Sequence, residues 1–201
     1  MLLCGIAFAA TVILLRMSDR AVPPAVPTTE QLPAPVATNN TAKASASAKS
    51  RLEEIVGRAT VIDGDAIEVQ RQRIRFHGID APESGQTCFG EDSKPYLCGS
   101  KAAFALSDFL GDATVRCEAL SRDQYRRVVA RCFARGEDLA LLLVRSGWAL
   151  DWPRYSRSEY SPAQLEAQAA KRGIWAGRFV EPWNYRACMR SGAQRTCSIP
   201  N

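Results

Sequence analysis

Between Thr60 and His77, apolar and polar residues alternate with a period of two, and two turn signals interrupt the alternation. Thr60-Val-Ile62 reads as one strand, Ile67 and Val69 mark a second, and Ile74 and Phe76 mark a third. Asp63-Gly64-Asp65 and Gln70-Arg71-Gln72 form the turns between them. A β-meander with one buried face follows, and the rest of the chain must cover that face. The third strand ends in a bend at Ala81-Pro82, because proline pushes its predecessor out of the helical region.

Downstream, Ser100 to Leu110 reads as a helix, with Ala103, Leu106 and Leu110 on one face and Gly111 as its stop. Thr114 to Ala119 and Val128 to Ala134 read as two further strands around a polar turn. Asp138 is the expected cap of a second helix running to Ser146 and ended by Gly147. Ser161-Pro-Ala-Gln164 has the form of a third helix start, with serine as N-cap and proline at the first turn, and Gly173 as the helix end. Trp175 and Trp183 are expected to cover the edge of the core. The expected fold is α+β and mainly β, a five-stranded OB-fold barrel with about three packed helices.

Residues 2–15 are almost continuously apolar, shorter than the roughly 20 residues of a spanning helix. The expected segments are an N-terminal signal or membrane anchor over 1–20, a Pro/Ala/Ser/Thr-rich disordered linker over 21–50, a folded domain over 51–187 and a tail over 188–201. Besides Cys4 there are six cysteines, Cys88, Cys98, Cys117, Cys132, Cys188 and Cys197. No Cys-x-x-Cys occurs among them, so they read as disulfides of an oxidising compartment rather than as a zinc site. Spacing pairs Cys88 with Cys98, Cys117 with Cys132 across the 123–127 turn, and Cys188 with Cys197. The expected location is extracytoplasmic, either anchored through the N-terminus or secreted or periplasmic.

The net charge of +5 permits an anionic partner without requiring one. His77 is the one histidine, which argues against a His-rich metal site or a Ser-His-Asp triad, and it reads as structural. Arg75, Asp80 and Glu83 lie within nine residues at the exit of a half-buried strand. Carboxylates beside a guanidinium suit metal-assisted phosphoryl chemistry. Taken alone, the stretch also fits a surface strand with a solvated, charged loop.

The segments Val61-Ile-Asp-Gly-Asp65, Arg75-Phe-His-Gly-Ile-Asp-Ala-Pro-Glu83, Asp123-Gln-Tyr-Arg-Arg127, Leu142-Leu-Val-Arg-Ser-Gly147 and Gly173-Ile-Trp175, taken in that order, resemble the thermonuclease, or staphylococcal-nuclease-like, family over roughly residues 55–186. The resemblance implies an OB barrel and calcium-dependent hydrolysis of DNA or RNA; the expected state of the protein is a monomer. It implies Asp65, Asp80 and the Ala81 carbonyl as calcium ligands, Glu83 as general base, and Arg75 and Arg127 as the phosphate clamp. It places Tyr125 beside the nucleotide, with Tyr155 as a further nucleic-acid contact. Two carboxylates and a carbonyl are hard oxygen donors of the kind calcium takes. The sequence departs from the family at Arg126, where glycine is usual, at Ala66 in place of threonine, and at Pro153 in place of a tyrosine. The alternative expectation is a non-catalytic nucleic-acid-binding or envelope interaction module on the same barrel.

Overall fold

The computed structural model describes residues 53–192 and 197–198. The expected anchor and linker over 1–50, and any membrane contact they make, lie outside the described residues. Among the described residues, no helix is long and apolar enough to cross a membrane.

The chain forms β1 (Glu54–Asp63), β2 (Ala66–Val69), β3 (Gln72–Phe76), β4 (Ile79–Asp80), β5 (Thr87–Phe89), β6 (Pro95–Leu97) and α1 (Cys98–Leu110). There follow β7 (Thr114–Arg122), β8 (Val128–Ala134), β9 (Glu137–Asp138), α2 (Leu139–Arg145), β10 (Leu150–Asp151), α3 (Pro153–Ser156) and α4 (Ser161–Ala169). A 3-10 turn (Gly173–Ala176) and α5 (Pro182–Arg190) end the described order.

Strands β3, β2, β1, β7 and β8 pair in that order, and a parallel β3–β8 pairing closes them into a five-stranded barrel, with β9 added beside β8. The OB-type barrel of the sequence reading is therefore present. Ile67, Val69, Ile74, Phe76, Val115, Val128 and Ala130 fill its interior. β1 begins well before Thr60, because its first half pairs with β7 from Glu54 to Arg58. That segment reads Glu-Ile-Val-Gly-Arg, too polar to announce a strand, and its partner strand supplies the missing reason. At the tip of the β2–β3 hairpin, Gln70 and Arg71 both have positive φ (50° and 63°), a type I′ turn matched to the strand twist.

Asp138 caps α2 as expected, its side chain accepting from the Leu141 amide at 3.0 Å. The start of α4 differs from expectation. Tyr160, not Ser161, holds the cap position, and no side chain caps the helix. Gln164 is turned away to accept from the Asp151 amide at 2.9 Å, which ties α4 to β10. The helix ends at Ala169 rather than at Gly173, which instead opens the 3-10 turn. Gly173 and Gly147 have positive φ and lie in close backbone contact, so that a Cβ on Gly147 would clash with the Arg172 carbonyl and one on Gly173 with the Gly147 carbonyl. Helix α5 was not anticipated. It runs through the expected 187/188 boundary, so Cys188 is helical rather than part of a loose tail.

All three expected disulfides form, Cys88–Cys98, Cys117–Cys132 and Cys188–Cys197. Cys117 and Cys132 are direct register partners on β7 and β8. Trp175 and Trp183 pack on a second apolar cluster around Leu150 and Ile174, at the edge of the core as expected. His77 is half-buried and donates its amide to Ala130, a structural position.

Candidate active site

The site is built where β1, β3 and β4 end on the same side of the barrel. Asp65 follows the Asp63-Gly64 bend, where the Asp63 side chain accepts from the Asp65 amide at 3.1 Å. Glycine is required at 64, because a Cβ would press on the side chains of Ala102 and Ala81. Asp80 lies on β4, a two-residue strand paired with β10. Both carboxylates are buried, with Asp65 3% and Asp80 0% exposed, so neither is a solvated surface charge.

Arg75 reaches both of them. Its Nη1 donates to Asp65 Oδ1 at 2.9 Å, and its Nη2 lies 2.9 Å from Asp65 Oδ2 and 2.6 Å from Asp80 Oδ1. The Ala81 amide donates to Asp65 Oδ2 at 3.0 Å. Burial, against the lowering pull of Arg75 and with the help of the Asp63 and Asp80 charges, pushes the Asp65 carboxyl up to about 8. Two buried carboxylates this close call for positive charge, and a hard cation suits their oxygens. Asp65, Asp80 and the adjoining Ala81 thus fit a calcium site by donor chemistry. Two of these donors are side chains, and no cluster of three or more His, Cys, Asp or Glu side chains accompanies them among the described residues.

Glu83 projects from the loop after β4, its side chain 38% exposed. Arg186, on α5 and 106 residues from Asp80, spans both acids. Its Nη1 donates to Asp80 Oδ1 at 2.9 Å and to Glu83 Oε1 at 2.7 Å, and its Nη2 to Asp80 Oδ2 at 2.7 Å. Burial works against the Arg186 charge, but its bonds to Asp80 and Glu83 outweigh this and raise its pKa. Its guanidinium lies over the Trp152 ring at 5.5 Å, and Trp152 stacks on Trp183 at 6.0 Å. Tyr155 packs edge-on against the same Trp152 at 4.6 Å and is half exposed, so it borders the site through that ring.

Arg127 makes no contact with these carboxylates among the described residues. It closes the β7–β8 turn, with its Nε on Asp123 at 2.7 Å and its amide on the other Asp123 oxygen at 2.9 Å. β3 and β8 run in register, Ile74 beside Val128 and Phe76 beside Ala130, with these four side chains buried in the barrel. Alternation therefore puts Arg73, Arg75 and Arg127 together on the outer face. There Arg71, Arg73, Arg122, Arg126 and Arg127 line a groove with Gln72 and Tyr125, whose ring is 71% exposed. The Arg127 guanidinium sits 5.5 Å from that ring. Arg71 and Arg126 both hold positive φ, a region where glycine or asparagine is preferred and other residues are strained by about 1–2 kcal/mol. Arginine at both hairpin tips therefore adds cationic charge to the groove at a cost in stability.

Of the residues singled out from the sequence, Arg75, Asp65, Asp80, Ala81 and Glu83 come together, Arg127 and Tyr125 form the neighbouring groove, and Tyr155 stands at the rim. Sequence reasoning missed Arg186, Trp152 and Gln86. Arg186 carried no local signal, since nothing in Trp183-Asn-Tyr-Arg186 shows which way an arginine on a polar helix points.

The molecule is thus a closed OB-type barrel carrying an arginine-bridged pair of buried carboxylates at its strand ends. A family model described as "Staphylococcal nuclease homologue" matches residues 73–177. The chain belongs to the staphylococcal nuclease family. It is similar to the "Succinoglycan biosynthesis protein ExoI" of Rhizobium meliloti, 42% identical over 61% of this chain and 65% of that protein. It is also similar to an "Uncharacterized endonuclease" of Haemophilus influenzae, 31% identical over 70% of this chain and 77% of that one. A "Probable staphylococcal-like nuclease CAN2" of Oryza sativa subsp. japonica is 29% identical over 75% of this chain. The chain spans just under two thirds of the Rhizobium protein's length, at 65%, and 39% of the rice protein's.

Proposed function

We propose that the protein is a calcium-dependent nuclease that hydrolyses phosphodiester bonds of DNA or RNA. The observation that carries this reading is the joining of Asp65, Asp80 and Glu83 by Arg75 and Arg186 at one barrel end. Nuclease and endonuclease names among the relatives support it. Asp65, Asp80 and the Ala81 carbonyl would hold calcium, which when bound supplies positive charge to the phosphate oxygens. Glu83, close by and partly open to solvent, takes the proton of a water attacking phosphorus. Arg75 presents a planar fork to the phosphate and stabilises charge as phosphorus becomes five-coordinate. Arg127 serves the same charge from the groove side once substrate bridges the two regions, and the groove arginines and Tyr125 hold the adjoining strand by charge and stacking. Three disulfides support action in an oxidising compartment. Export or anchoring through residues 1–20 and action as a monomer complete the proposal.

The test is degradation of plasmid DNA and of RNA by the purified protein, with calcium and with chelator. Glu83→Gln, correctly folded, should lose about 10²–10⁴-fold in rate. Absence of calcium-dependent cleavage by the wild type, or full activity in Glu83→Gln, refutes the reading or the assigned base respectively.

A further inference from the structure

Glu83 is held by its near neighbour Gln86 and, through it and beside it, by parts of the chain remote in sequence. Its amide donates to the side chain of Gln86 at 3.2 Å, and its carbonyl accepts from the Gln86 amide at 2.7 Å. Gln86 is wholly buried and passes the connection on, its Nε2 donating to the Val180 carbonyl at 2.6 Å, just before α5. Gly99, in the first turn of α1, lies so close to the Glu83 carbonyl that a Cβ there would overlap it. The Cys88–Cys98 disulfide closes the loop between. These contacts fix the backbone of Glu83 but leave its carboxylate free. Among the described residues, one side chain holds that carboxylate, and it is Arg186.

We propose that Arg186 is a positioning residue for phosphodiester hydrolysis, a guanidinium delivered by α5 that keeps the Glu83 carboxylate beside Asp80. The inference rests on the nuclease reading above. A glutamate on a surface loop samples many rotamers, and a base displaced by about 1 Å can cost on the order of 10²-fold in rate. The planar fork suits the task, since one Nη reaches both acids while the other grips Asp80. Trp152 fixes the plane of the fork from one side. The Cys188–Cys197 disulfide lies two residues past Arg186 and ties the end of α5 to the segment beyond it. On this account α5 is a wall of the active site. A second consequence concerns the cation. Arg186 places positive charge on both oxygens of Asp80, and like charge opposes a divalent ion there.

The experiment compares the wild type with Arg186→Met, Arg186→Lys and Arg186→Ala. Steady-state cleavage of DNA gives kcat and KM, titration calorimetry with calcium alone gives the metal affinity, and thermal melting checks the fold. Arg186→Met should lose about 10–100-fold in kcat with KM within about threefold, and should bind calcium several-fold more tightly. Arg186→Lys should fall between, since a point charge cannot hold both acids. Guanidinium ion at non-denaturing concentration should restore part of kcat to Arg186→Ala and none to the wild type. A folded Arg186→Met with kcat within threefold of wild type overturns the assignment, as does weaker calcium binding. A loss of kcat that guanidinium leaves unchanged assigns Arg186 a structural role instead. A wild type without calcium-dependent cleavage refutes the nuclease reading and takes the positioning role with it.

Discussion

Replacing Arg126 by glycine should make the protein more stable while weakening its hold on polyanions. Arg126 sits at the tip of the β7–β8 turn with φ 65°. Its conformation is imposed from both sides. The Asp123 side chain accepts from the amides of Tyr125 and Arg127, and the Asp123 carbonyl accepts from the Arg126 amide at 2.9 Å. An L-residue other than glycine in this region costs about 1–2 kcal/mol. Glycine gives back roughly 0.5–1 kcal/mol of that through its freer unfolded chain. The net gain should be about 0.5–1 kcal/mol, a rise of about 1–4 °C in Tm for a domain of this size. Arg126→Ala keeps the strained backbone and removes the charge, so it should leave Tm near the wild-type value. Both variants should bind single-stranded DNA more weakly, with a salt dependence shallower by up to about 0.7 in log-log slope if Arg126 meets a phosphate. Differential scanning calorimetry and salt-titrated binding measure the two effects separately. Arg126→Gly no more stable than Arg126→Ala would refute the strain argument. An unchanged salt slope in both would remove Arg126 from the groove's phosphate contacts.

Two other outcomes test the scaffold. Burial pushes the Asp123 carboxyl up, but its bonds from Arg127 and Tyr125 and the Arg127 charge outweigh that and hold it below its ordinary 3.8. A depressed folded value means that this stabilisation is present above the ordinary value and is lost as pH falls through the lower one. Urea unfolding below about pH 4 should therefore show a decline that is shallower in Asp123→Asn, and parallel declines would contradict the pairing. Replacing Cys117 and Cys132 together by alanine opens a loop of sequence separation 15, which should cost about 3 kcal/mol on unfolding, and a loss under 1 kcal/mol would show that strand pairing alone holds β7 to β8.

What could be read from the sequence was local. Asp65, Arg75, Asp80 and Glu83 lie within nineteen residues, each on or just beyond a strand whose period-two pattern set its direction. Their convergence needed little beyond the meander itself. The disulfide pairs followed from spacing because each closes a short loop or a hairpin. The Asp138 cap was legible because capping involves residues three apart. Tertiary contacts decided the rest. Ser161 and Gln164 had the sequence of a capping box, but Gln164 gained a partner in Asp151 and the helix began one residue earlier than its motif indicated. The first half of β1 became a strand because β7 stood beside it. Arg186 entered the site across 106 residues of chain, and Gln86 met Val180 across 94. No periodicity or motif encodes such contacts. A side chain's partner depends on where the closed barrel leaves buried charge unpaired, and that exists only once the chain has folded.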